Sequence, residues 1–223
     1  MRQAVLSRVA CLTLATGPLA GCANRVVPPE HVADPVPVYI VDYGRHSSLL
    51  LPAGPDRLTE YAYGDWDWFA SNSTAWTQAI KALFFSAGAT IGRRDLDDPR
   101  DGLPGLLSRI GAIRLVRVNV ERTRAAALRE QLNRRWDRGR DTMIYNPAAE
   151  LFLVRDSQHY ALWHDCNHET ARWLREVGCS IWGLNVTSDF VVKGPAAAAA
   201  TTRIAAAAQH SDPHRPQPQH LAQ

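Results

Sequence analysis

His164-Asp-Cys-Asn-His-Glu-Thr-Ala-Arg-Trp-Leu-Arg-Glu-Val-Gly178 reads as a helix with both of its ends written in. Asp165 is a good N-cap, because a carboxylate there accepts the unpaired N–H groups of the first turn. Cys166, Thr170, Trp173, Leu174 and Val177 then fall at helical spacing and give the segment one apolar face. Gly178 closes it as the residue that tolerates a left-handed backbone past the last turn. Residues 159–163, just upstream, read as strand. Elsewhere, 38–41 (Val-Tyr-Ile-Val) is a buried-strand run broken at Gly44, and 47–51 continues extended. Pro52 and Pro55 bracket a turn, and 59–63 alternates as an antiparallel partner. Residues 113–120 form another strand, followed by an Arg/Glu-rich helix over 122–138 with Ala126, Leu128, Leu132 and Trp136 inward. Ser73 or Thr74 can cap a further helix running to about Ala87. Residues 94–105, with Asp95, Asp97, Asp98, Pro99, Asp101 and Gly102, read as an exposed loop, and Asn146-Pro147 begins another. The predicted fold class is α+β, a small antiparallel sheet packed by helices.

The chain has 223 residues, 46% hydrophobic and 21% charged, which is a globular balance with room for one ordinary core. No run reaches the roughly 18 apolar residues of a membrane-spanning helix. The formal charge is only +3 and carries no basic stripe, so nucleic acid is not an expected partner. The N-terminus is an address. Arg2 and Arg8 precede an apolar stretch over 9–20, and Leu19-Ala-Gly-Cys22 resembles the bacterial lipobox, in which the cysteine takes up lipid. By resemblance to lipoprotein sorting, Ala23 in the next position favours the periplasmic face of the outer membrane. The expected partners are therefore the membrane, through lipid on Cys22, and a peptidoglycan or lipid substrate. The expected organisation is a leader (1–21), a Pro-rich tether (22–37), a domain (38–194) and an Ala-rich then Pro/His/Gln-rich disordered tail (195–223).

Of four cysteines, Cys11 leaves with the leader and Cys22 is lipidated, which leaves Cys166 and Cys179. A helix between them would hold their Cα atoms about 20 Å apart at about 1.5 Å per residue. A disulfide needs less than about 7 Å, so the two are expected to stay unpaired. Cys179 suits burial. Cys166, in the first turn of its helix, lies where unpaired N–H groups and the helix dipole stabilise a thiolate, as a nucleophile requires. The plain alternative is a small hydrophobic residue at a helix start.

A nucleophile needs a base. His31, His210, His214 and His220 lie in tether or tail. His168 is two residues along the helix, so its side chain diverges from Cys166 by about 200°. His46, on the first sheet segment, is the better choice, with His159 and His164 still open. No cofactor is expected. The rival chemistry is a zinc site at His164, Cys166 and His168, whose spacing converges poorly. The stretch Tyr61-Ala-Tyr-Gly-Asp-Trp-Asp-Trp-Phe69 reads either as a core strand entering an aromatic corner or as a platform for sugar rings.

Val41-Asp-Tyr-Gly-Arg-His46-Ser-Ser-Leu-Leu-Leu-Pro52, Tyr63-Gly-Asp65-Trp-Asp-Trp-Phe69 and Tyr160-Ala-Leu-Trp-His-Asp-Cys166-Asn167, with Thr170, Ala171, Arg172, Leu174 and Gly178, resemble the domain of unknown function 2459, a family of bacterial proteins that includes many lipoproteins. The resemblance spans 38–193. It departs at Gly-Arg-His46-Ser-Ser, where the family has Gly-Trp-His-Thr-Gly, and around Cys166, where the family has Asn-Thr-Cys-Asn-Thr-Trp. The order of histidine on an early strand and cysteine at a late helix start also resembles the circularly permuted NlpC-type papain-like superfamily. That resemblance implies a thiol hydrolase or acyltransferase acting on an amide or ester bond, with Cys166 as nucleophile and His46 as base. Asp65 would orient the imidazole, and the N–H of Cys166 or Asn167 would form the oxyanion hole beside Asp165. The other class is a non-catalytic envelope binding or scaffold protein on the same fold.

Overall fold

The computed structural model describes residues 23–70, 88–97, 102–161, 163–194 and 201–203. Strands β1 (Asn24–Val27), β2 (Pro35–Asp42), β3 (Ser47–Gly54) and β4 (Arg57–Asp65) lead to a short helix α1 (Trp66–Ala70). Next come β5 (Ala89–Asp97), α2 (Gly102–Ile110), β6 (Arg114–Glu121) and α3 (Arg122–Arg138). A 3-10 turn (Arg140–Thr142) precedes β7 (Ile144–Asn146) and β8 (Leu151–Asp156). The chain continues with α4 (Cys166–Glu176), β9 (Ser180–Trp182), β10 (Phe190–Val192) and β11 (Thr201–Arg203).

The protein is α+β, built on an eight-stranded antiparallel sheet in the order β11-β6-β2-β3-β4-β5-β8-β7, larger than the small sheet expected. A second sheet of three strands runs β10-β1-β9. Alternation along the strands gives the large sheet two different faces. Leu49 and Leu51 of β3 and Tyr61 and Tyr63 of β4 point into the main core, where Leu128, Leu132 and Trp136 of α3 and Ala171, Trp173 and Leu174 of α4 cover them. Leu50 and Leu58 point the other way, against Leu106, Leu107 and Ile110 of α2. The first face, with α3 and α4, is called the helix face below, and the second the opposite face.

Several expectations need correction. Residues 24–27 of the expected tether form β1, and β2 already begins at Pro35, where the first position of a strand tolerates the missing N–H. Thr201–Arg203, in the expected tail, pair with Val116, Leu115 and Arg114 of β6. The stretch from Arg94, expected as a loop, continues β5 to Asp97, and α2 begins at Gly102, because Arg94 is paired with Glu60 inside the protein rather than solvated. Among the described residues of 159–163 there is no strand, and an isolated bridge joins Ala161 to His164. The helix expected from Ser73 or Thr74 to Ala87 lies outside the described residues, as do Cys22, the leader and 204–223.

Candidate functional site at the start of helix α4

Helix α4 begins where its sequence says. Asp165 Oδ1 accepts from the N–H of Asn167 at 2.9 Å and of His168 at 3.0 Å, and also meets His168 Nδ1 at 2.9 Å. Val177 is the C-cap and Gly178 follows with φ of 97°. The Asn167 side chain anchors the helix start to β3. Its Oδ1 accepts from Ser47 Oγ at 2.8 Å, and Ser47 Oγ also reaches Thr170 Oγ1 at 3.1 Å. Cys166 is thereby held against the first residue of β3, 5% exposed, and is a free thiol, as is Cys179.

Burial pushes the Cys166 thiol up to about 12, and the Asp165 charge adds to the rise. Backbone N–H groups of Ser47, Asn167 and Cys166 itself pull the other way without offsetting it. Burial also raises Tyr160 far above the ordinary phenol range, and the neighbouring Cys166 and the charges of Asp165 and Asp65 add to it.

His46 lies on the other side of the strand. The β2–β3 turn closes with Tyr43 N–H donating to the His46 carbonyl at 2.9 Å, with Gly44 at φ of 92°. Ser47 faces α4, so alternation sends His46 and Ser48 to the opposite face. There the His46 ring stacks on Tyr43 with centroids 6.0 Å apart and meets the Phe69 ring edge-on at 5.6 Å. One edge of the Phe69 ring occupies the space over Gly64, where a Cβ would come within 2.1 Å of Phe69 Cε2. His46 Nε2 is buried without a hydrogen-bond partner. Burial lowers its pKa to about 4, and the charges of Glu60 and then Asp165 offset this only in part.

Asp65, expected beside the His46 ring, is on the helix face with Tyr61 and Tyr63. Its Oδ1 accepts from Trp68 N at 2.7 Å and so caps α1. The carboxylate that neighbours His46 on its own face is Glu60, which takes Tyr43 Oη at 2.7 Å, Ser48 Oγ at 2.5 Å and Arg94 Nε at 2.7 Å. The Asn167 N–H, expected in an oxyanion hole, donates to the Asp165 cap. Cys166, Asp65, Asn167 and Asp165 therefore share one side of β3, and His46 has the other.

A second constellation fills the helix face. Glu169, fully buried, accepts from Arg172 Nη2 at 2.6 Å and Nε at 2.8 Å, from Arg135 Nη1, and meets His164 Nε2 at 3.2 Å. Arg135 bonds Asp156 as well, so α3, α4 and β8 are tied through one guanidinium. Burial alone would raise the Glu169 carboxyl, but the bonds from Arg172 and His164 and the Arg135 charge hold it well below the usual range. Donating to the Glu169 carboxylate raises His164 in turn. His164 has its Nδ1 on the His159 carbonyl at 3.0 Å and stacks on Tyr63 at 5.2 Å. His164 and His168 are thus committed to different carboxylates, and no cluster of three or more His, Cys, Asp or Glu able to hold a metal occurs among the described residues. Of the aromatic stretch read as a core strand or a sugar platform, Tyr61, Tyr63 and Trp66 are buried, and Trp68 and Phe69 are half-buried.

Sequence reasoning missed Glu169, Arg135, Glu60 and Arg94. The signal for Glu169 was present: a carboxylate three residues after Cys166 and four before Trp173 falls on the apolar stripe, and a charge there must be paired. No family model, curated protein or solved structure matches this chain.

Proposed function

We propose that this chain is a lipid-anchored envelope protein whose α+β domain follows the permuted papain-like order and serves binding rather than thiol chemistry. The lipobox-like Leu19-Ala-Gly-Cys22 supports the anchor, and His46 before β3 with Cys166 opening α4 supports the permuted order. One observation carries the non-catalytic reading: the His46 ring packs against Tyr43 and Phe69 on the opposite face of the sheet from the enclosed Cys166 thiol, whose pKa burial raises. General-base activation needs the two within hydrogen-bond reach. His164, on the correct face, has both ring nitrogens engaged.

Labelling with an iodoacetamide probe at pH 7 tests this. Cys166 should resist modification in the folded chain, react in denaturant, and behave identically in His46→Ala. Rapid modification abolished by His46→Ala would overturn the reading in favour of a thiol hydrolase or acyltransferase on an amide or ester bond of peptidoglycan peptide or lipid. The backbone N–H groups turned toward the sulfur and the unspent Nε2 of His46 favour that second reading.

A further inference from the structure

The three-stranded sheet has one face in the main core and one in the open. Val26, Ile181, Phe190 and Val192 point inward. The register sets Arg25 between Trp182 and Val191, and Val27 against Ser180, on the outer side. There Trp182 is 65% exposed and Val27 37%, and the loop after β9 adds Leu184 at 76% and Val186 at 48%. Exposed side chains of this size are ordinary when scattered, but here Val27 and Trp182 share the outer face of one small sheet, and Leu184 and Val186 follow Trp182 by two and four residues. The cations of this surface, Arg25 and Lys193, are exposed as well, whereas the nearby Asp189 is held by Arg114 at 2.7 Å.

The loop is bound to the residue that emerges from the N-terminal segment. Asn24, fully buried, donates from Nδ2 to the Thr187 carbonyl at 2.7 Å and accepts from Asn185 N at 2.9 Å. Gly183 packs so closely that a Cβ would meet Asn24 Oδ1 at 2.8 Å. Cys22 precedes Asn24 by two residues, a reach of about 7 Å. A lipid on Cys22 would therefore enter the membrane beside Trp182 and Leu184, with no slack to lift the domain away.

We propose that this outer face, with Trp182, Leu184, Val186 and Val27 at its centre and Arg25 and Lys193 among them, lies on the phospholipid bilayer and fixes the orientation of the domain. Tryptophan prefers the interfacial zone, aliphatic side chains enter the acyl boundary, and cations favour anionic headgroups. The proposal rests on the lipid-anchor reading above. Because the anchor supplies attachment, the patch supplies orientation.

The full chain, expressed with its leader and carrying Leu184→Cys labelled with an environment-sensitive fluorophore, is reconstituted into phosphatidylethanolamine–phosphatidylglycerol vesicles that contain a spin-labelled lipid. Asp56→Cys, in the exposed β3–β4 turn, is the control, and Val186→Cys is a second probe should Leu184→Cys misfold. Quenching at 184 or 186 should exceed that at 56 by about threefold or more, as burial of an apolar face at the acyl boundary requires. Equal quenching at both positions on chain shown by mass spectrometry to carry lipid on Cys22 overturns the docking and leaves the anchor standing. A blue-shifted label at 184 without lipid quenching means that a second protein copy covers the face, which also overturns it. Absence of lipid on Cys22 overturns docking and anchor together.

Discussion

His46 and His164 stand on the two faces of the same sheet and have opposite fates. His164 is bonded through both ring nitrogens, and the Glu169 carboxylate raises its pKa. His46 is enclosed between Tyr43 and Phe69 with Nε2 unpartnered, and burial lowers its pKa to about 4. Residue type does not separate them; their partners do. The imidazole on the thiol's face has no free nitrogen, and the imidazole with a free nitrogen is on the other face. Neither of these two imidazoles is placed to serve Cys166 as a base, and the comparison can be attacked from each side.

The hardest test removes the partner. Glu169→Ala takes one of two carboxylate partners from the buried Arg135, leaving Asp156, and releases Arg172 and His164, so stability should fall by about 3 kcal/mol in urea unfolding. Arg94 is likewise 8% exposed beside Glu60, and Glu60→Ala should cost a similar amount on the opposite face. If either variant lost less than about 1 kcal/mol, that pair would count as a surface-like interaction and the contrast between faces would weaken.

Acid should divide the two histidines by sign. The folded pKa of His46 lies below its unfolded value near 6.5, so the unfolded state binds the extra proton between pH 6.5 and about 4. Stability should therefore drop through that window, by at most about 3 kcal/mol, and His46→Phe should flatten the drop. His164 runs the other way: its folded pKa is raised, so its contribution is complete below the unfolded value and fades as pH rises through the folded one. Two-dimensional NMR of the imidazole protons checks both. A His46 titrating above His164 would reverse the assignment.

The halves of this picture were unequally legible. Helix α4 carried its cap, stripe and stop in the sequence, and α3 spans Arg122–Arg138 as predicted, with Leu128, Leu132 and Trp136 inward but Ala125 buried in place of the expected Ala126. The β3–β4 hairpin pairs Ser48 with Ala62, which brings the chain before Ser47 level with Gly64 and Asp65. The face of His46 was not legible, because a shift of one residue inverts every side chain of a strand, and it is the bonds of Ser47 to Asn167 and Thr170 that show which residue meets the helix. Strand β5 was hidden for a different reason. Arg93, Arg94, Asp95 and Asp97 look like solvated loop, and the pairing of Arg94 with Glu60 that permits its burial joins residues far apart in the chain. Short β1 and β11 have too few residues for any period, and only their partners define them.

The smallest expected effect is also the most specific. Asp165 serves two purposes at once: it caps α4, and its charge raises Cys166 while raising His46 across the strand. Asp165→Asn keeps a good capping oxygen, so stability should change by less than about 0.5 kcal/mol. It deletes the charge, so the Cys166 thiol should move down from about 12 and His46 should move further down from about 4. Both shifts point the same way because a negative neighbour favours the protonated form of either group. The thiol's labelling rate at pH 9 should rise a few-fold while the melting temperature holds, and His46→Ala added to Asp165→Asn should leave that rate where it was. If the second substitution slows the labelling, imidazole and thiol communicate across β3 after all, and the two faces form one site.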